Sequence, residues 1–231
     1  MYIYLNIYCN ILNKMKLTLN EWQKLKKDEK NLIVQASVKD GSDSWQPFTI
    51  GMSWQYGLLD FENLSNKYQI GDHNKLIFCA IKYETDQRRR GFSPVNRKII
   101  LENLEKNGIK NILLNHNEYF TSLPTYKYVI SPEGNGIDCH RHYEALLAGC
   151  IPIMEKNPLT EHKYTNLPIL WTNDYSEINN EYLENKYLEM LDKEYDFSSL
   201  FLNNYDSNIQ NYIKDCGNFW IYNCTGQLYY K

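Results

Sequence analysis

Arg141 and Glu144 place a cation and a carboxylate one helical turn apart, just after a glycine-bearing loop, Gly134-Asn135-Gly136. Those residue types suit an anionic ligand that also carries hydroxyls. A guanidinium forks onto phosphate oxygens, and a carboxylate accepts from ribose hydroxyls. A flexible loop entering a helix N-terminus offers backbone N–H groups to a diphosphate. His140 lies one turn before Glu144, so three polar side chains converge on the loop side. The same Arg–Glu spacing is also common as a surface ion pair worth a fraction of a kcal/mol. The elements around the pair separate the two readings.

Tyr128 to Ser131 reads as a buried strand and Ile151 to Ile153 as a second. Between them Cys139, Tyr143, Leu146, Leu147 and Cys150 recur at i, i+4, i+7, i+8 and i+11, one apolar face for packing on a sheet. Arg141 and Glu144 lie off that face, beside the loop. Strand, loop, helix and strand in this order predict an α/β ligand edge rather than an incidental ion pair.

Upstream, Thr18 to Asn31 reads as a helix capped by Thr18 or Asn20, and Leu32 to Val38 as a β-rich run ending at an Asp40-Gly41-Ser42 turn. Residues 45–70 are aromatic and irregular, with Trp45, Phe48, Trp54, Tyr56 and Phe61. Regular alternation begins at 75. Lys75 to Ile81 predicts a buried strand. Pro94 to Asn107 predicts a helix with Ser93 as cap, Pro94 at the first position and Gly108 as its stop. Asn111 to Leu114 predicts a short strand, and Tyr119 to Leu123 a helical turn. Beyond the central segment, Pro168 to Trp171 predicts a strand, Ser176 to Asp192 a helix capped by Asp174 or Ser176, and Ser198 to Tyr222 a broken helical stretch. The expected fold class is α/β, a parallel Rossmann-like sheet with helices on both faces.

The run from Ser131 to Pro152 resembles the donor-binding signature of exostosin-like glycosyltransferases, including those of large DNA viruses. It matches at Ser131, Pro132, Gly134, Gly136, Arg141, Glu144, Ala145, Leu146, Gly149, Cys150, Ile151 and Pro152. The resemblance implies a GT-B-type donor domain over residues 71–231. It further implies transfer of a sugar from a nucleotide-sugar donor, UDP-linked, to a glycan or glycoprotein acceptor. Ser131, Gly134, Asn135, Gly136, His140, Arg141 and Glu144 then form the donor site. Arg90 and Arg97 join them, because arginines at this point in related enzymes face the donor phosphates; Arg88 and Arg89 are as readily a solvated basic loop. Glu155, Lys156 and Asn157, after the strand at 151–155, fall either near the sugar or in a connecting loop.

Residues 1–70 are too few for the second full domain of a GT-B enzyme. They read as a small N-terminal region, a reduced acceptor-side cap, with a separate acceptor-domain partner, a homo-oligomer or the absence of that domain as alternatives. In the family the catalytic base usually comes from that side. Here it stays unassigned, with Asp60, Glu62, Asp72 and His73 as unranked candidates.

Composition sets the outer limits. The chain has 231 residues, 43% of them apolar, and a net charge of −3, so it buries a substantial core and carries no global basic field for nucleic acid. The cysteines at 9, 79, 139, 150, 216 and 224 lack paired metal-ligand spacing. Cys139-His140-Arg141-His142 has no second cluster to complete a metal site, and no Asp-x-Asp motif is present. The expectation is therefore metal-independent chemistry with no cofactor beyond the nucleotide-sugar co-substrate. Met1 to Leu12 is apolar but lacks a basic start and a small-residue cleavage site, and is too short to span a bilayer. It reads as a strand or an extension ahead of Met15, and the chain as a soluble, cytoplasmic protein.

Two other classes fit less of the chain. One is a non-catalytic nucleotide- or glycan-binding module derived from such an enzyme. The other is a dinucleotide oxidoreductase, but Cys139 stands where the third glycine of Gly-x-Gly-x-x-Gly belongs.

Overall fold

The computed structural model describes residues 16–40, 45–58 and 68–231, and the expectations for Met1 to Leu12, Gly41, Ser42, Asp60 and Glu62 fall outside them. It is an α/β fold whose centre is a four-stranded parallel sheet. The strands β2 (Lys75–Phe78), β3 (Tyr126–Ile130), β4 (Ile151–Glu155) and β5 (Leu170–Thr172) lie side by side in chain order. Registers such as Ile77↔Tyr128, Tyr128↔Ile151 and Ile153↔Leu170 fix the ladder. Tyr128–Ile130 of β3 and Ile151–Met154 of β4 are buried, as apolar runs in the middle of a parallel sheet require. A second, two-stranded antiparallel sheet joins β1 (Lys16–Thr18) to β6 (Glu194–Asp196).

Helices fill the connections: α1 (Leu19–Lys24), α2 (Gln87–Arg90), α3 (Arg97–Lys106), α4 (His116–Ser122), α5 (His140–Leu147), α6 (Pro158–Lys163), α7 (Asn180–Leu191) and α8 (Ser207–Thr225). Their boundaries follow local capping chemistry. Helix α1 opens on a Thr18–Glu21 capping box and stops at Lys24, well short of Asn31. The stop has a cause: Lys27 turns inward, where its Nζ donates to the Trp22 and Gln69 carbonyls. Helix α3 starts at Arg97 rather than Pro94. Asn96 is the cap that accepts from Ile99 N–H, while the Ser93 hydroxyl is occupied by Val95 N–H. Asn115 caps α4 with a second capping box, making a full helix of the predicted turn. Asn157 caps α6 with Pro158 at its first position, so this stretch is a helix rather than a loop.

The 111–114 segment forms no strand. The Asn111 amide takes both backbone groups of Ile81, and a single ladder-like bond, Ile112 N–H to Cys79 C=O at 2.9 Å, remains. Backbone groups alternate sides along a strand. Cys79 and Ile81 therefore face residues 111–112, while the Ala80 carbonyl faces the other way, toward Arg141. The chain thus flanks β2 on one edge, then crosses to β3 on the other. That reversal is the place where α/β sheets open a ligand crevice beyond the carboxyl ends of their strands.

The Gly149-Cys150 part of the central segment terminates α5. Gly149 adopts a left-handed φ of 79°, with bonds from Gly149 N–H to Leu146 C=O and Cys150 N–H to Ala145 C=O, a Schellman ending. A Cβ there would lie 2.9 Å from Gln23 Cγ, so only glycine fits.

The N-terminal residues share the main core. Trp22 stacks on Phe197 at 4.0 Å and donates to the Leu146 carbonyl at 2.7 Å. Residues 32–38 form no extended strand. Leu32 and Val34 make isolated bridges to Phe201 and Met52, and two tyrosine hydroxyls meet the remaining backbone. Ile33 N–H donates to Tyr143, Val34 N–H to Tyr230, and Tyr230 donates back to the Leu32 carbonyl. Bonds from Gln35 and Ala36 N–H to Met52 and Ile50 C=O make 33–36 and 50–53 one wall over the carboxyl edge of the sheet. No helix among the described residues is long and apolar enough to cross a membrane.

Candidate functional site

A cavity of about 1150 Å³ lies between that wall and the carboxyl ends of β2, β3 and β4. Gly134, Asn135, Gly136, His140, Arg141, Glu144 and Arg97 all line it, together with Arg89, Tyr119 and Ser53. The fold therefore gathers seven of the nine residues proposed from sequence, counting those that appear in both sets.

Arg141 sits on the first turn of α5. Its Nη2 is anchored at 2.8 Å on the Ala80 carbonyl, and its buried Nε has no partner. The guanidinium lies 5.7 Å from the Tyr119 ring centre. Glu144, one turn along, accepts from Ser53 N–H at 3.3 Å and from the Tyr119 hydroxyl at 3.1 Å. Its oxygens are thus spent on neighbours other than Arg141, which removes the ion-pair reading. A carboxylate offers about four lone-pair directions, so two protein bonds leave room for ligand hydroxyls. Burial, then the Glu144 carboxylate, push the Tyr119 phenol well up, so it stays a donor.

Arg97 underlies the loop. Its guanidinium donates to the carbonyls of Glu133 (2.8 Å), Pro132 (3.1 Å) and Lys82 (3.2 Å), and burial pushes it down from its ordinary value. Among the described residues no carboxylate forms an ion pair with its head group, and Arg97 lines the cavity floor. Gly134 is glycine for this reason: a Cβ would lie 2.9 Å from Arg97 Nη2 and 3.1 Å from Cys139 Sγ. Its own N–H is spent on the Gly136 carbonyl at 2.9 Å. Cys139 gives α5 no side-chain cap, which leaves the helix start open to a ligand. Burial pushes the Cys139 thiol up to about 11, keeping it neutral.

Two proposed residues lie outside the cavity. Arg90 is turned onto carboxylates: Nε to Asp86 at 3.0 Å, Nη1 to Glu155 at 2.9 Å and, more distantly, Nη1 to Glu133 at 3.6 Å. Burial pulls its ionisation down, but those carboxylates outweigh it and raise it. Glu155 accepts from Glu133 N–H, and Asn157 donates to Glu133, so this cluster braces the loop from below. Ser131 is fully buried, with Oγ 2.7 Å from His142 Nδ1. Of the candidate bases, His73 bonds the Tyr126 carbonyl at the amino end of β3, away from the cavity, and exposed Asp72 accepts from Asn74.

Buried His142 has an unpartnered Nε2, and burial pushes it down to about 4 from 6.5. As pH falls, the unfolded chain takes the proton first. Its contribution is complete above about 6.5 and is lost toward 4, by roughly 3 kcal/mol. Urea unfolding at several pH values is expected to show this slope, and His142→Asn to flatten it.

Sequence reasoning passed over three features. Tyr119 falls in a predicted helical turn, residues 50–53 in the irregular aromatic stretch, and Asp138 in no motif. Asp138 accepts from Lys163 Nζ (2.7 Å), the Tyr164 hydroxyl (2.7 Å) and Ile50 N–H (3.0 Å). Ile50, Gly51 and Ser53 each bond one residue of the 138–144 stretch. Among the described residues no group of three or more His, Cys, Asp or Glu is arranged to hold a metal ion. Compared with models of known protein families and with curated proteins, the sequence matches none of them.

Proposed function

We propose that the cavity binds a nucleoside diphosphate sugar, UDP-linked, and that the protein is a glycosyltransferase of GT-B-like type acting on a glycan or glycoprotein acceptor. The observation that carries this reading is the Arg141 guanidinium, tethered at one nitrogen and unpartnered at a buried Nε, on a cavity it shares with Arg97 and Glu144. Glycosyl transfer builds negative charge on the departing diphosphate. Preorganised cations and helix N–H groups in a shielded site stabilise such charge most strongly. In this scheme Arg141 and Arg97 meet the diphosphate, Glu144 holds the ribose, and Arg90 keeps the loop in place. The wall at 33–36 and 50–53 acts as the acceptor-side cap, within this chain or completed by a partner.

Thermal-shift titration with UDP, GDP, CMP and ADP, each with and without EDTA, tests the reading. A nucleotide at about 100 times its Kd adds about 2.7 kcal/mol of stability. A shift with UDP that EDTA leaves intact supports metal-independent donor binding; no shift with any nucleotide contradicts it. UDP binding without cleavage or transfer from any UDP-sugar selects a binding module instead. Glu144→Ala is expected to weaken UDP binding by about 1.5–3 kcal/mol, the range for a hydrogen bond to a charged group. Unchanged affinity in calorimetry removes Glu144 from the ribose site.

A further inference from the structure

We infer that His140 is the general base of the transfer, taking the proton from the acceptor hydroxyl; this rests on the glycosyltransferase reading. His140 opens α5 beside Arg141 and lines the cavity. Its Nδ1 lies 2.8 Å from the Gly51 carbonyl oxygen. A carbonyl only accepts, so Nδ1 carries the proton and Nε2 holds the basic lone pair. A base whose far nitrogen is fixed by a hydrogen bond is the arrangement that base catalysis needs.

The orienting carbonyl is itself fixed. Gly51 has a φ of 77°, and a Cβ there would lie 2.3 Å from the Ile33 carbonyl oxygen, so only glycine presents its oxygen here. On either side, Ile50 N–H is tied to Asp138 and Ser53 N–H to Glu144. The wall over the cavity is therefore built around this bond.

The competing groups are occupied or unoriented. Asp138 is held by Lys163, Tyr164 and Ile50, and Glu144 is assigned to the ribose hydroxyls in the scheme above. His142 is fully buried. Exposed His116, also on the cavity, has no hydrogen-bond partner among the described residues to orient its ring.

In the step, the acceptor O–H proton passes to His140 Nε2 as the acceptor oxygen bonds the anomeric carbon. The bond from that carbon to the diphosphate oxygen breaks, and its electron pair leaves with the diphosphate. The imidazolium then returns its proton to solvent. A single displacement of this kind inverts the anomeric configuration.

The test uses UDP-glucose, UDP-galactose, UDP-N-acetylglucosamine and UDP-xylose with water as acceptor. His140→Gln is expected to lose at least about 100-fold in the kcat of donor hydrolysis, with the KM for the donor changed far less. Imidazole restores part of the rate to His140→Ala, and NMR finds the sugar released with inverted configuration. An undiminished rate, a loss confined to KM, or retained configuration overturns the assignment. A parent chain that binds UDP yet cleaves none of these donors overturns it alone; one that ignores UDP takes the glycosyltransferase reading with it. Independently of turnover, nitrogen-15 NMR of the parent must find His140 protonated at Nδ1, and an Nε2–H tautomer refutes the inference.

Discussion

Arg141→Ala is expected to bind UDP at least about 3 kcal/mol more weakly than the parent chain, more than a hundredfold. The variant should still fold. The side chain bonds the Ala80 carbonyl from Nη2 and lies against Tyr119, while its buried Nε has no partner. Its removal therefore takes little from the native state and most from a bound diphosphate. Arg141→Lys is expected to recover only part of the affinity, because an ammonium is a point charge without the guanidinium fork. Calorimetry gives the affinity and a melting curve the stability. Intact UDP affinity in a folded Arg141→Ala protein would remove Arg141 from the phosphate site.

Asp138→Ala carries the largest expected stability loss, about 3–5 kcal/mol, because it leaves a buried cation without its counter-charge. The Lys163 side chain is only 5% exposed, and the Tyr164 hydroxyl and Ile50 N–H lose the same acceptor. Replacing Lys163 with methionine in the same chain is expected to restore part of the loss, since most of the cost is the stranded charge. Burial pushes the Asp138 carboxyl up, but Lys163, His142 and the hydrogen bonds outweigh it and hold it below the usual value. Its contribution is present above the ordinary carboxylate range and is lost as pH falls through the lowered folded value. Urea titrations of the single and double variants check both statements. Because Asp138 also holds Ile50, the single variant should loosen the wall that carries Gly51.

What was legible in sequence was local. The loop and the polar front of α5 depend on neighbours within a few residues, and residue type and spacing found them; the apolar face read through to Cys150 stops instead at Leu147, where Gly149 turns the chain in a Schellman ending. The sites of Arg90 and Arg97 were not local. Both arginines lie near one turn in sequence, yet Arg97 ends among carbonyls beneath the cavity and Arg90 among Asp86, Glu133 and Glu155. Only the approach of β3 and β4 decides between them. The same holds for residues 32–38, where tyrosine hydroxyls from Tyr143 and Tyr230 take the place of a strand partner. The Ser93-Pro94 start signal lost to Asn96 because Asp86, eleven residues earlier, captures Arg97 N–H at 2.8 Å. Propensity offers a helix several starting points, and a tertiary acceptor selects one.

The central claim is that this cavity reads a diphosphate through arginines, and a calorimetric comparison of UDP with uridine tests it most directly. The account predicts that UDP binds, with EDTA present, at least about a hundredfold more tightly than uridine. Equal affinities, or no binding of UDP, would contradict it.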